Sequence, residues 1–108
     1  MLRLSLVLML LFASPVWAGK FQDGNALHEN CKNEQEFLLG YCMGYVGSVA
    51  DIMSDDIPIA GWKACIPRGV SLGQIRDIVI RWLANNPQLR HYSATSLVAQ
   101  ALEEAFPC

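Results

Sequence analysis

Four cysteines, Cys31, Cys42, Cys65 and Cys108, all lie downstream of an export-signal pattern. An even cysteine count in a small exported chain reads as two disulfides, and two cross-links restrict the fold more than any other feature here. The export pattern is specific. Arg3 supplies the positive n-region, Leu4 to Phe12 is an almost unbroken apolar run, and Pro15 breaks it. Val16 and Ala18 put small residues at the two positions a signal peptidase reads. The apolar stretch to Trp17 is interrupted by Ser14 and Pro15. It falls short of the about twenty residues a membrane span needs. Residues 1–18 therefore read as a cleaved signal peptide and 19–108 as one exported, periplasmic domain. The new first residue, Gly19, offers no cysteine for a lipid anchor.

The 53% hydrophobic content includes that signal and overstates the mature chain. Loss of Arg3 takes the formal net charge of −2 one unit lower. The mature domain is mildly acidic and has no basic stripe, so nucleic acid and anionic membrane are poor partners. A chain of about ninety residues builds only a thin core, which favours added disulfides.

No window shows the period-two alternation of strands, whereas four show helical period. A short helix is expected over about Asp23 to Asn30, capped by Asp23, with Ala26 and Leu27 inward. A longer one is expected from about Glu34 to Met53, with Asn33 as cap and Glu36 completing a capping box. Its core stripe reads Leu38, Cys42, Tyr45, Val49 and Ile52. Gly40, Gly44 and Gly47, with Ser48, form a second stripe. Interior glycines cost on the order of 1 kcal/mol each, so another backbone is expected close by, within the chain or across a dimer. The third helix opens on Ser71-Leu72-Gly73-Gln74, a capping-box pattern flanked by a Val70–Ile75 staple. Ile75, Ile78, Val79, Trp82 and Leu83 face its core, and Asn85, Asn86 and Pro87 end it. The fourth begins at Ser93, with Tyr92 and Leu97 placed as a staple. Ala94, Leu97, Val98, Ala101, Leu102 and Ala105 face inward, and Pro107 stops it. The fold class expected is all-α: a small four-helix domain, one helix short and three longer, stapled by two disulfides.

Four cysteines allow three pairings. If helices two, three and four alternate in direction, Cys65 and Cys108 meet at one end of the bundle. Cys31 and Cys42 are then left at the other, although Cys31 must reach along helix two. Such bridges contribute about 3 and about 4 kcal/mol in the chain-entropy model. The long segment Ser54–Val70 between helices two and three is expected to be stapled through Cys65.

Candidate chemistry is sparse. His28 and Cys31 lie one helical turn apart, but a bridged Cys31 is no nucleophile. Asp55-Asp56 is a carboxylate pair whose ordinary role is a solvated turn. His28 and His91 do not fall at metal-finger spacing, and there is no C-x-x-C, H-E-x-x-H, nucleophile elbow or phosphate-cradling loop. The reading is no enzyme, with no cofactor, no metal and no catalytic residues. For Arg90-His91 the plain expectation is a local hydrogen bond near Ser93.

The series Gly40-Tyr41-Cys42-Met43-Gly44-Tyr45-Val46-Gly47, then Cys65-Ile66-Pro67-Arg68-Gly69-Val70-Ser71-Leu72-Gly73-Gln74, resembles the Rap/Tai immunity-protein family. Trp82-Leu83, Pro87, Arg90-His91, Leu97-Val98, Ala101-Leu102 and Ala105-Phe106-Pro107-Cys108 extend the resemblance over about Phe21 to Cys108. It implies a small helical, disulfide-bonded periplasmic protein, often a homodimer. Such a protein binds and inhibits a type VI secreted peptidoglycan amidase toxin. The matched residues are caps, core positions, glycines and cysteines, and they do not locate a binding surface. For that surface the long loop offers Asp55, Asp56, Ile57 and Trp62. Trp62 suits either an interface or the core, and the core is the commoner fate. Two other readings stand beside the antidote. One is a periplasmic stress or chaperone-like helical protein, whose client surface would open at low pH. The other is an accessory structural protein.

Overall fold

The computed structural model describes residues 21–108, so the signal-peptide expectation for 1–18 lies outside the described residues. Four helices run in order: α1 Gly24–Lys32, α2 Glu36–Ser54, α3 Leu72–Asn85 and α4 Ala94–Ala105. A single 3-10 turn, Pro87–Leu89, joins the last two. The all-α, four-helix expectation is met, and α1 is the shortest member. Among the described residues, β pairing is limited to isolated bridges, Asp23 with Ser93 and Ile59 with Trp62.

Local signals explain most helix starts. The Asp23 carboxylate accepts from the Ala26 N–H at 2.8 Å and caps α1. At α3 the full capping box forms. Gln74 N–H donates to Ser71 Oγ at 3.1 Å, and Ser71 N–H donates to Gln74 Oε1 at 2.6 Å. Val70 packs on the core beside it, and Ile75 is buried. The start of α2 departs from expectation. Asn33 serves as the extended C-cap of α1, and its Oδ1 accepts from Gln35 N–H at 2.9 Å. One residue cannot close one helix and cap the next, so α2 begins at Glu36 without a side-chain cap. At α4, Ser93 caps without a side-chain bond, and its backbone bridges Asp23. Tyr92 is half exposed, whereas Leu97 is buried.

α2 is the central helix and packs on α1, α3 and α4. Its buried stripe is Cys42, Val46, Val49, Ala50 and Met53. Cys42 and Val49 were expected there, whereas Tyr45 is only half-buried and Ile52 is exposed. The helix is apolar on almost every side, so periodicity could not fix its rotation. From α3, Ile75, Val79, Trp82 and Leu83 enter the core, and from α4 Ala94, Leu97, Val98, Ala99, Ala101 and Leu102. Ile78 is half-buried, and Ala105, expected inward, is exposed.

Both expected disulfides form. Cys31–Cys42 joins α1 to α2 with a Cα–Cα distance of 5.0 Å, and Cys65–Cys108 spans 5.1 Å. No cysteine is free among the described residues. The first bridge is buried and the second is exposed. A tight turn after α1 lays its last residues along the first turns of α2, which solves the reach to Cys42.

The glycine stripe behaves differently from expectation within the chain. A Cβ placed on Gly40 or Gly44 would meet nothing within 4 Å. On Gly47 it would meet only the Leu72 side chain, Cδ1 lying 2.9 Å away. Among the described residues, no backbone from another element approaches the stripe. The close approach occurs instead at Gly24, where a Cβ would sit 2.9 Å from the Arg90 carbonyl oxygen and 2.5 Å from Leu97 Cδ1.

Candidate partner-binding surface

The loop after α2 is built by backbone bonds more than by side chains. Asp55 and Asp56 N–H donate to Ile52 and Met53 carbonyls, each at 3.1 Å, and close the helix. Asp56 then turns at φ 61, a left-handed value that Asp tolerates better than most residues. Three residues on, Ile59 and Trp62 exchange both backbone bonds, at 3.0 and 2.8 Å, around Ala60 at φ 51 and Gly61 at φ 84. Two consecutive positive φ values mark the tight hairpin turn of type I′, for which alanine is a poor first residue. The loop is then fastened to the end of α4 and the residues after it. Lys63 N–H donates to the Glu103 carboxylate at 2.6 Å, Cys65 N–H to the Phe106 carbonyl at 2.8 Å, and the Cys65–Cys108 bridge follows. Ala64 is buried between these ties. The segment is stapled, as its cysteine suggested.

Of the four residues marked in this loop, three share the apex. Asp55 and Asp56 are exposed, and Ile57 is 52% exposed. Trp62 is separate, half-buried against the core, and it supports the hairpin from beneath. The apex is strongly negative. Asp51, Asp55 and Asp56 cluster at the end of α2, and residues 33–62 hold no Lys or Arg. Asp51 and Asp55 lie one turn apart at the end of α2, where helix carbonyls already concentrate negative charge. The ion pairs among the described residues are Lys32–Glu29 and Arg76–Asp77, so none of these aspartates is paired. Asp51, and Leu72 across from it at 44% exposed, escaped the sequence reading because each looks like an ordinary helix-surface residue.

A second polar feature lies on the far side. His28 is buried, and its Nδ1 stands 2.6 Å from Arg90 Nη1. A guanidinium has no acceptor, so Nδ1 accepts and the imidazole is the neutral Nε2–H tautomer. Burial, then Lys32 and Arg90, hold the His28 pKa below its ordinary 6.5, and Glu29 opposes them weakly. The His28–Cys31 idea is thereby replaced: Cys31 is bridged and His28 turns to Arg90. His91 takes no hydrogen bond near Ser93; its ring lies 4.2 Å from that of Tyr92, and Ser96 Oγ and Leu97 N–H donate to the Ser93 carbonyl.

No curated protein and no solved structure matches the chain significantly. The family model for Rap1a immunity proteins matches residues 23–108, from the α1 cap through the last cysteine. That span contains all four helices and both bridges. The family is one of type VI immunity proteins, which bind protein toxins and are generally non-enzymatic, and the two disulfides fit an oxidising compartment. The chain belongs to the Rap1a immunity protein family.

Proposed function

We propose that this chain, after loss of residues 1–18, is a periplasmic antidote that binds and blocks a type VI secreted peptidoglycan amidase. Family membership over 23–108 carries the reading. The acidic, apolar-tipped apex at Asp55, Asp56 and Ile57 supports a plug-like contact, because it is exposed yet held from both sides. Protection then acts by stoichiometric occupation of the toxin and not by turnover.

The antidote is a homodimer joined through the first half of α2. That helix is long and apolar enough to cross a membrane by length and composition, yet only 28% of the window is buried. Phe37 is 82% exposed and Tyr41 44%, with the uncovered Gly40 and Gly44 between and beside them. A contiguous apolar face of this kind marks an interaction surface. The test is a pull-down from periplasmic extract, followed by titration against any cell-wall hydrolase recovered. Inhibition should saturate at one antidote subunit per toxin. Recovery of no hydrolase, with a deletion strain that resists its siblings' toxins, would refute the reading.

A further inference from the structure

We propose that the groove between the second half of α2 and the start of α3 seats a toxin segment that carries an apolar side chain beside a Lys or Arg. The proposal rests on the antidote reading and names what the partner must present. The groove has a volume of about 230 Å³. Gly47 forms its floor, Ile66, Val70 and Ile75 its walls, Leu72 one lip and Asp51 the opposite rim. Small-molecule sites run to about 300–1,000 Å³, so this volume suits one or two protein side chains better than a cofactor.

Charge selects the occupant. Gly47, Asp51 and Asp55 succeed one another at four-residue intervals and form one ridge of α2. The ridge therefore runs from Gly47, which lies under the Leu72 side chain, to unpaired carboxylates at the negative end of the helix. Arg68, on the loop across the groove, makes no ion pair with these acids. A cation set beside an apolar anchor would satisfy the rim and fill the floor together. The α3–α4 groove is similar in volume, about 260 Å³, but its rim carries both Arg81 and Glu104. Glu104 there already accepts from Trp82 Nε1–H. That groove presents no single sign of charge to a partner. Asp55, four residues beyond Asp51 at the C-cap of α2, begins the exposed Asp55–Ile57 apex.

The experiment uses the mature protein and the hydrolase recovered by pull-down, with affinity followed against salt. Asp51→Lys should weaken binding about tenfold at low salt, mostly in association rate, and flatten the salt dependence. Gly47→Met should fill the floor and weaken binding at all salt concentrations. Leu72 Cδ1 is the only atom it displaces early, and that side chain is free to swing. Gly47→Ala, which raises helix propensity, keeps the test open if the larger residue perturbs folding. The reversal Glu29→Lys, on the exposed face of α1, should leave affinity unchanged. Wild-type affinity for the hydrolase with no loss in the Asp51 and Gly47 variants overturns the groove and leaves the antidote standing. If those variants split a dimer while hydrolase affinity holds, a second copy occupies the groove and the proposal fails. A wild-type protein that binds no hydrolase overturns both.

Discussion

Removing the two disulfides one at a time separates what each does. The Cys65–Cys108 bridge closes 43 residues and Cys31–Cys42 closes 11. Chain entropy assigns them about 4 and about 3 kcal/mol. Cys31 and Cys42 also sit in the core, at 2% and 0% exposed. Replacing them with alanine leaves a void that adds about 1–2 kcal/mol. The two losses therefore converge, and each is a large fraction of the about 5–15 kcal/mol typical of a domain. Urea unfolding of Cys65→Ala/Cys108→Ala should show about 4 kcal/mol lost. The order of reduction discriminates further. Under native conditions dithiothreitol reaches the exposed outer bridge first. Once that bridge opens, the unfolded population rises about a thousandfold for 4 kcal/mol. The buried bridge then reduces through unfolding. Timed alkylation and mass spectrometry should label Cys65 and Cys108 in a distinct early phase. Simultaneous labelling, or loss of under about 1 kcal/mol in the outer double variant, would refute the assignment of unfolded-state restraint to this bridge.

Five further outcomes are expected. His28 has a lowered folded pKa, so its contribution is complete above the unfolded value of 6.5 and is lost as pH falls through the folded value. Denaturation at pH 7.5 and 5 should show that loss in wild type and a smaller one in His28→Asn, whose amide oxygen replaces Nδ1 as acceptor; equal slopes would count against it. Gly24→Ala should cost about 1–3 kcal/mol, because the Arg90 backbone cannot yield to a new Cβ, as thermal melts would read. Ala60→Asn should stabilise by about 0.5 kcal/mol or more, since Asn-Gly is the favoured pair for this turn. Reversing Asp55 and Asp56 should weaken protection in a toxin challenge and leave the circular dichroism unchanged; Gly44→Leu should lower the mass in solution without lowering the melting temperature of the monomer.

How much of this was legible from sequence depended on whether the signal was local. The α3 start was readable to the residue, because Ser71 and Gln74 satisfy each other's backbone within one turn. Asn33 misled, because its backbone N–H closes α1 while its side chain holds the Gln35 N–H, just short of α2. On α2 the rotation was not readable. A helix with apolar residues on most faces has no preferred inward side until Cys42 is tied to Cys31. The glycines show the same limit. Gly24 and Gly40 look alike in sequence, yet one lies against the Arg90 backbone and the other faces open space. His28 and Arg90 stand 62 residues apart, and no local pattern could join them. Of the candidate surface, Asp55, Asp56 and Ile57 were readable as exposed loop residues. Asp51 and Leu72 became visible only when α3 was placed across from α2.

The same construction bears on why the loop is fastened so heavily. A flexible plug loses affinity, because every side chain it orders on binding costs about 0.5–1.5 kcal/mol. Here the segment from Asp55 to Val70 leaves a helix at one end and enters a capping box at the other. Between them, Lys63 and Cys65 are tied at three points to the end of α4 and the residues after it. Ile59 and Trp62 rest on the core, so the hairpin has a floor. An apex held this way is ordered before any partner arrives. In the antidote reading, opening Cys65–Cys108 should therefore slow or weaken toxin capture even at temperatures where the helices remain intact. A reduced protein with native helicity and undiminished toxin affinity would show that the ties serve stability alone.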